Sequence, residues 1–358
     1  MRRDRLTFGM MVGIPLMQLI LFGFAINMNP KQLPTAVLLA DHSPFGRTLL
    51  WAMRNSEYFS LVREARSEAE VADLLTRGAV QFVVHIPEGF ERRLLRGERP
   101  SVLLQADATD PAATGYAVAA LEALVGRVFD RDLTGPLARL RGRAGPVEMR
   151  THRHYNPEII TQYNVVPGLL GVVLTMTLTI ITALAITRER ERGTMENLLS
   201  TPARPAEVMV GKIVPYILVG YVQVGLILVL ARVVFRVPMV GSLGLLLAVI
   251  LLFITANLAM GVTFSTIARN QLQAVQMAIF FFLPSILLSG FMFPFRGMPG
   301  WAQMLGEILP LTHFLRIARG ILLKGNGLTE IAPELGALAL FVAVVLTVGI
   351  KRYRQTLD

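Results

Sequence analysis

Charge is missing from six long stretches of this chain, and no other property of the sequence restricts its fold so tightly. No Asp, Glu, Lys or Arg occurs in residues 6–30 (25 residues), 159–187 (29), 213–231 (19), 237–268 (32) or 270–295 (26), and 335–350 adds a further 16. About 20 helical residues cross a hydrocarbon core roughly 30 Å thick. The first five stretches therefore reach across it or nearly so. The last covers about 24 Å at a rise of about 1.5 Å per residue, and it crosses if Glu334 and Lys351 snorkel to the interfaces. Only 17% of the 358 residues are charged, against about 25% in soluble domains. An ordinary water-soluble globular fold is excluded, and the expectation is an α-helical polytopic membrane protein with six transmembrane helices.

The 35 basic and 25 acidic residues leave a net charge of +10. In a membrane protein this excess has a topological meaning, because Lys and Arg in short loops mark the cytoplasmic side. With the amino terminus inside, the inside loops carry twelve basic residues: Arg2, Arg3, Arg5, Arg188, Arg190, Arg192, Arg204, Lys212, Arg269, Lys351, Arg352 and Arg354. The short outside loops carry six: Arg232, Arg236, Arg296, Arg316, Arg319 and Lys324. Both termini are expected in the cytoplasm. The basic residues follow topology and form no stripe, so no nucleic-acid partner is expected. Cysteine is absent, which removes disulfides, thiolate catalysis and Cys-ligated metals.

The first stretch follows Arg2, Arg3 and Arg5 as a secretory signal would. A signal h-region has about 7–15 residues, however, and this one is longer and lacks a small-x-small site after it. It is expected to be an uncleaved anchor that delivers residues 31–158 outside. That segment changes composition abruptly. Expected strands cover 35–40, 80–86, 102–106 and 147–152, each bounded by Pro, Gly or Asp. Helix starts stand between them: Ser43 before Pro44, Ser67 three residues ahead of Glu70, Pro87 ahead of Glu88, and Asp110 before Pro111. Alternating β and α signals predict an inserted extracytoplasmic α/β domain. Three regions result: 1–30 (cytoplasmic stub and first span), 31–158 (the α/β domain) and 159–358 (the remaining five spans). Within the last, the second span is expected to start at Pro167 and run to Thr187, with 159–166 as an interfacial lead-in. The others are expected near 213–235, 243–267, 274–294 and 333–350.

The expected spans hold essentially no intramembrane charge, since Arg232 and Glu334 fall at span ends where snorkelling accounts for them. Gln162, Asn164, Gln223, Asn257, Gln271, Gln273 and Gln276 are read as interhelical hydrogen-bonding residues. Coupling to protons or ions thus has few candidate groups. No phosphate-binding G-x-x-x-x-G-K-[ST] motif occurs, because the only Gly-Lys, Gly211-Lys212, is followed by Ile213. H-E-x-x-H and G-x-S-x-G are missing as well. His152 and His154 would share one face of a strand, with His42 and His85 in the same region, but a lone H-x-H is a weak metal signal. No catalytic residue, cofactor or metal is expected in the chain, and it is expected not to be an enzyme. A ligand-sensing receptor would need a cytoplasmic output domain, and the longest expected inside segment, 188–212, has only about 25 residues.

The most charged inside loop reads Arg188-Glu189-Arg190-Glu191-Arg192-Gly193-Thr194-Met195-Glu196-Asn197-Leu198-Leu199-Ser200-Thr201-Pro202. Alternating charge through Arg192 is that of a solvated helix end. Beyond it, Gly193 can break the helix, Thr194 can cap a new one, and Met195, Leu198 and Leu199 make an apolar face. A short amphipathic helix of this kind needs a surface to pack on. Together with residues 284–294, containing Leu288-Ser289-Gly290-Phe291-Met292-Phe293-Pro294, and with Met298-Pro299, Pro310, His313, Arg319-Gly320 and Lys324-Gly325, the loop resembles the permease subunits of ABC-2-type exporters. The resemblance is to the subgroup with a large extracytoplasmic domain after the first transmembrane helix.

That resemblance implies a permease subunit of an ATP-binding-cassette exporter in the bacterial inner membrane. It forms the substrate path and is driven by a separate ATPase subunit, which binds the ATP. The cytoplasmic coupling loop 188–212 would meet the ATPase through Arg188, Glu189, Glu191, Gly193, Thr194, Glu196 and Leu198. Residues 295–330 would form an extracytoplasmic re-entrant segment of short helices before the last span. Implied partners are the ATPase, a second permease as homodimer or paralogous heterodimer, and a periplasmic membrane-fusion adaptor. Hydrophobic drugs or lipid-like compounds would suit an uncharged path.

Overall fold

A computed structural model describes residues 31–140, 146–158, 160–191 and 205–355. The described chain divides into two compact units, an α/β unit up to Asn164 and a helical unit from Val165 onward, with 296–298 grouped with the first.

The α/β unit holds strands β1 (Leu33–Leu39), β2 (Phe59–Ala65), β3 (Phe82–Ile86), β4 (Ser101–Asp107) and β5 (Glu148–His154), and helices α1 (Pro44–Asn55), α2 (Glu68–Thr76), α3 (Phe90–Leu95) and α4 (Pro111–Val125). The strands form one sheet in the order β2-β1-β3-β4-β5. All pairings are parallel except β3 with β4. The capping residues read from the sequence do their work. Ser43 Oγ accepts from the Gly46 amide (3.2 Å), Ser67 Oγ from Glu70 (3.2 Å) and Asp110 Oδ1 from Ala113 (3.3 Å), which satisfies amides that a helix start leaves without partners. α3 begins later than the Pro87 signal suggests, after Gly89 in the left-handed region at φ +69°.

The two faces of the sheet are covered unequally. On one, Phe82, Val84, Val102, Leu104 and Ala106 pack under Leu49 and Met53 of α1, Phe90 and Leu94 of α3, and Leu121 and Val125 of α4. On the other, α2 lays Val71, Leu74 and Leu75 on Ala36, Ala65 and Val83 of β1, β2 and β3. β4 alternates, so Gln105 and Asp107 lie on this second face, in register with His152 and His154 of β5. Strand β2 is an addition to the sequence reading. It is an edge strand whose central Val62, Arg63 and Glu64 are exposed, so it shows no alternation to detect.

The helical unit contains α5 (Thr161–Glu191), α6 (Pro205–Val233), α7 (Leu243–Ile267), α8 (Gln271–Leu288), α9 (Gly300–Ile308), α10 (Pro310–Arg319) and α11 (Leu328–Gln355). Five of these are long and apolar enough to cross a membrane: Thr161–Ala185, Val214–Val233, Leu243–Ile267, Gln271–Leu288 and Leu328–Lys351. The expected first span, 6–30, lies outside the described residues. α7 has the expected bounds. α5 does not start at Pro167 as expected but at Thr161, with Pro167 inside the helix. Proline removes one i→i−4 bond, and helices in a membrane tolerate that loss where neighbours pack around it. Pro215 in α6, Pro284 in α8 and Pro333 in α11 are also internal.

Two glycines permit close helix contacts. A Cβ at Gly261 of α7 would lie 2.7 Å from the Thr179 carbonyl and 2.8 Å from Thr182 Cβ of α5. A Cβ at Gly171 of α5 would lie 2.6 Å from Leu311 Cδ1 and 2.8 Å from Phe314 Cδ1 of α10. Phe314 in turn stacks on Phe253 of α7, centroids 4.1 Å apart. The short helix α10 is thereby buried among the spans.

Candidate functional site

The loop singled out by sequence is described only at its base. α5 continues through Arg188 to Glu191, whereas Gly193, Thr194, Glu196 and Leu198 lie outside the described residues. Arg188 is exposed, and the backbone of Glu189 is helical. Glu191 is engaged within the chain. Its Oε1 accepts from the backbone amide of Gln271 (2.7 Å) and its Oε2 from the Gln271 side-chain amide. Gln271 is the first residue of α8, so the carboxylate occupies the positive end of that helix. The Gln271 side chain, followed by the Gln271 backbone amide, holds the Glu191 carboxyl below the usual glutamate range. The N-cap Asn270 accepts from the Gln273 amide (2.9 Å), and Gln273 Oε1 accepts from the Arg269 amide (2.8 Å). Ala183, Ala268 and Ala274 close the contact behind this cap. The end of α5 and the start of α8 are therefore clasped together at the root of the loop.

Two further polar residues of the spans that the sequence singles out also make hydrogen bonds. Thr177 of α5 donates to Gln223 Oε1 of α6 (3.0 Å), an interhelical bond of the kind expected. Asn257 instead donates to Phe253 O of its own helix (2.9 Å).

A second cluster is not legible in the sequence, where Glu334 reads as a snorkelling charge at a span end. Glu334 lies one turn and a half into α11, with 27% of its side chain exposed, and is paired inside the protein. One carboxylate oxygen meets His313 Nδ1, and the other accepts from Arg316 Nη1 (3.0 Å). Arg316 also makes a two-armed contact with Glu307 (2.6 and 3.0 Å) and lies over the Phe295 ring, 4.6 Å from its centroid. His313 Nε2 donates to the Glu307 carbonyl oxygen (2.8 Å). Glu307, His313 and Glu334 are close enough to hold a metal ion. Their chemistry argues for an internal ion-pair network instead, because both imidazole nitrogens are already bonded and Arg316 supplies the positive charge. The signal available in the sequence was His313 and Arg316, three apart on a helix whose other residues are mostly apolar.

An apolar multispan helical unit with an attached α/β unit is the architecture of a polytopic membrane protein. The comparisons with known proteins make the assignment specific. Residues 5–351 match the model of the ABC-2 family transporter protein, and the chain belongs to that family. It is 29% identical over 356 residues to the probable multidrug ABC transporter permease YbhS of Escherichia coli K12, covering 97% of this chain and 91% of that one. It is 30% identical over 359 residues to the inner membrane transport permease YhhJ of the same organism (96% and 93%). The linearmycin resistance permease protein LnrN of Bacillus subtilis is 21% identical over 365 residues (96% and 94%). The chain is an ABC transporter permease, embedded in a membrane by several spans.

Proposed function

We propose that this permease exports hydrophobic or lipid-like compounds across the bacterial inner membrane, driven by a separate ATPase subunit that binds the ATP. A first span over 6–30 brings the total to six, with the α/β unit outside and both termini inside, as the basic-residue asymmetry favours. Two permeases, identical or paralogous, flank the substrate path, and the α/β unit is available to a periplasmic adaptor. The multidrug and linearmycin-resistance names of the relatives support a cargo of this class.

The observation that carries the coupling reading is the Glu191–Gln271 clasp. In this reading loop 188–212 sits in a groove of the ATPase. Leu198 is its apolar anchor, Gly193 and Thr194 set the helix start, and Glu189 and Glu196 meet the rim beside Arg188. Movement of the loop passes through Glu191 to the start of α8, so one span is pulled with the other. Burying a leucine contributes about 1.5–3 kcal/mol, roughly 10- to 150-fold in an association constant. Leu198→Asp should therefore lose the ATPase in a pull-down and lose substrate-stimulated hydrolysis while the permease stays folded. Retention of the ATPase at wild-type affinity by that variant, with undiminished stimulated hydrolysis, would refute the role of the loop.

A further inference from the structure

The half of the second sheet face not covered by α2 carries polar residues that export does not use. β5 ends in His152-Arg153-His154, and strand alternation turns both histidines to this face beside Gln105 and Asp107. Their rings lie 4.3 Å apart between centroids, tilted by 43°. His154 Nε2 is 3.0 Å from Gln105 Oε1. Gln105 Nε2 donates to Glu68 Oε2 (3.3 Å). A carboxylate only accepts, so Glu68 fixes which way the Gln105 amide points, and the amide oxygen in turn puts the His154 proton on Nε2. The lone pair of His154 is then on Nδ1. His85 Nδ1, 3.3 Å from Glu68 Oε1, braces the carboxylate from β3.

Backbone strain adds to this order. Tyr155 holds the left-handed region at φ +68°, an expense for a non-glycine residue that tends to mark functional sites. This turn brings its ring to 5.8 Å from that of His154 and its hydroxyl to 3.2 Å from Thr76 Oγ1 on α2. His154 has the rings of His152 and Tyr155 beside it and one nitrogen engaged, while His152 is exposed.

We propose that His152 and His154 form a chelating site for a late first-row divalent cation such as Zn²⁺, Ni²⁺ or Cu²⁺. Imidazole suits these ions. Metal–nitrogen bonds of about 2.0–2.1 Å require the two donor nitrogens within roughly 3.4 Å of each other, a span that rings this close can provide. Water completes the coordination. The His154–Gln105–Glu68 chain is the outer support that ligating histidines ordinarily have, and losing such support typically costs about 10- to 100-fold in affinity. The Glu307–His313–Glu334 group is a separate cluster with its nitrogens already committed.

Zn²⁺ titrated calorimetrically into the full-length chain in detergent tests the site. One ion per chain should bind, His152→Ala should weaken binding at least as much as loss of the outer support, and Gln105→Leu should weaken it by about 10- to 100-fold. His313→Asn should bind as wild type does. Because His152 is exposed, its substitution leaves the fold intact and decides the matter even if a change at His154 does not. No uptake by wild type at millimolar Zn²⁺, wild-type affinity in His152→Ala, or loss of binding in His313→Asn would each overturn the proposal.

Discussion

Replacing Glu334 by glutamine removes the carboxylate shared by His313 and Arg316 while keeping its shape. Hydrogen bonds to charged groups contribute about 1.5–3 kcal/mol each. Here the Glu334 side chain is 27% exposed and that of Arg316 34%, and solvent screening pulls the figure to the low end. The amide retains one acceptor, and Arg316 stays bound to Glu307. The expected cost is about 2 kcal/mol, read as a fall of roughly 4–8 °C in the thermal midpoint of the detergent-solubilised protein on the scale of 150–250-residue domains. His313→Gln should cost a similar amount, since it loses the same partner and the Glu307 carbonyl. The double variant is decisive. If the pair acts together, the two losses fall short of additivity by about 1 kcal/mol or more, whereas independent sites add within about 0.5 kcal/mol. Additive losses, or an unchanged midpoint in Glu334→Gln, would show that the network does not tie α10 to α11.

Three further outcomes are expected. Gly261→Ala should cost about 1–3 kcal/mol by overpacking, because the added methyl meets the α5 backbone rather than a movable side chain; an unchanged denaturation midpoint would refute the contact. At Asp41, burial opposes the charge, but the Ser43 side chain and the amides of Ser43, Glu91 and Phe90 outweigh it and hold the carboxyl below its usual range. The stability it adds is present above the unfolded value of about 3.9 and is lost as pH falls through the lower folded one. The destabilisation caused by Asp41→Asn should therefore be seen near neutrality and shrink in acid, and a gap of constant size would contradict this. Glu191→Ala should speed amide exchange in the first turn of α8 while Glu191→Gln stays near wild type. Equal exchange rates in all three proteins would dissolve the clasp.

Local chemistry made the caps legible. Ser43, Ser67 and Asp110 each stand next to the amides they bond, so spacing alone identifies them. Long uncharged stretches were equally readable, and α7 has its expected ends. β2 escapes because an edge strand exposed along its middle has no periodicity, and Pro167 reads as a boundary because sequence does not show which neighbours pack around a broken bond. The Glu334 pairing escaped for a different reason. His313 is 21 positions away, and only the return of α11 along α10 brings the two together, so a residue that reads as an interfacial charge is in fact half-buried and paired across helices. The histidine pair on β5 falls between these cases: its face was legible, whereas the Glu68–Gln105 support depends on the sheet order.

Among the five described spans, four contain an internal proline and α7 contains none. Each proline withdraws the helical donor from the carbonyl four residues earlier, at Tyr163, Gly211, Phe280 and Thr329. Bending stiffness therefore differs between the spans. α7 keeps its full ladder and is the span with the largest buried share, 61%. It has the character of a mast, while α5, α6, α8 and α11 each carry one softened turn. A rearrangement of the bundle would flex at those four turns and leave the mast straight.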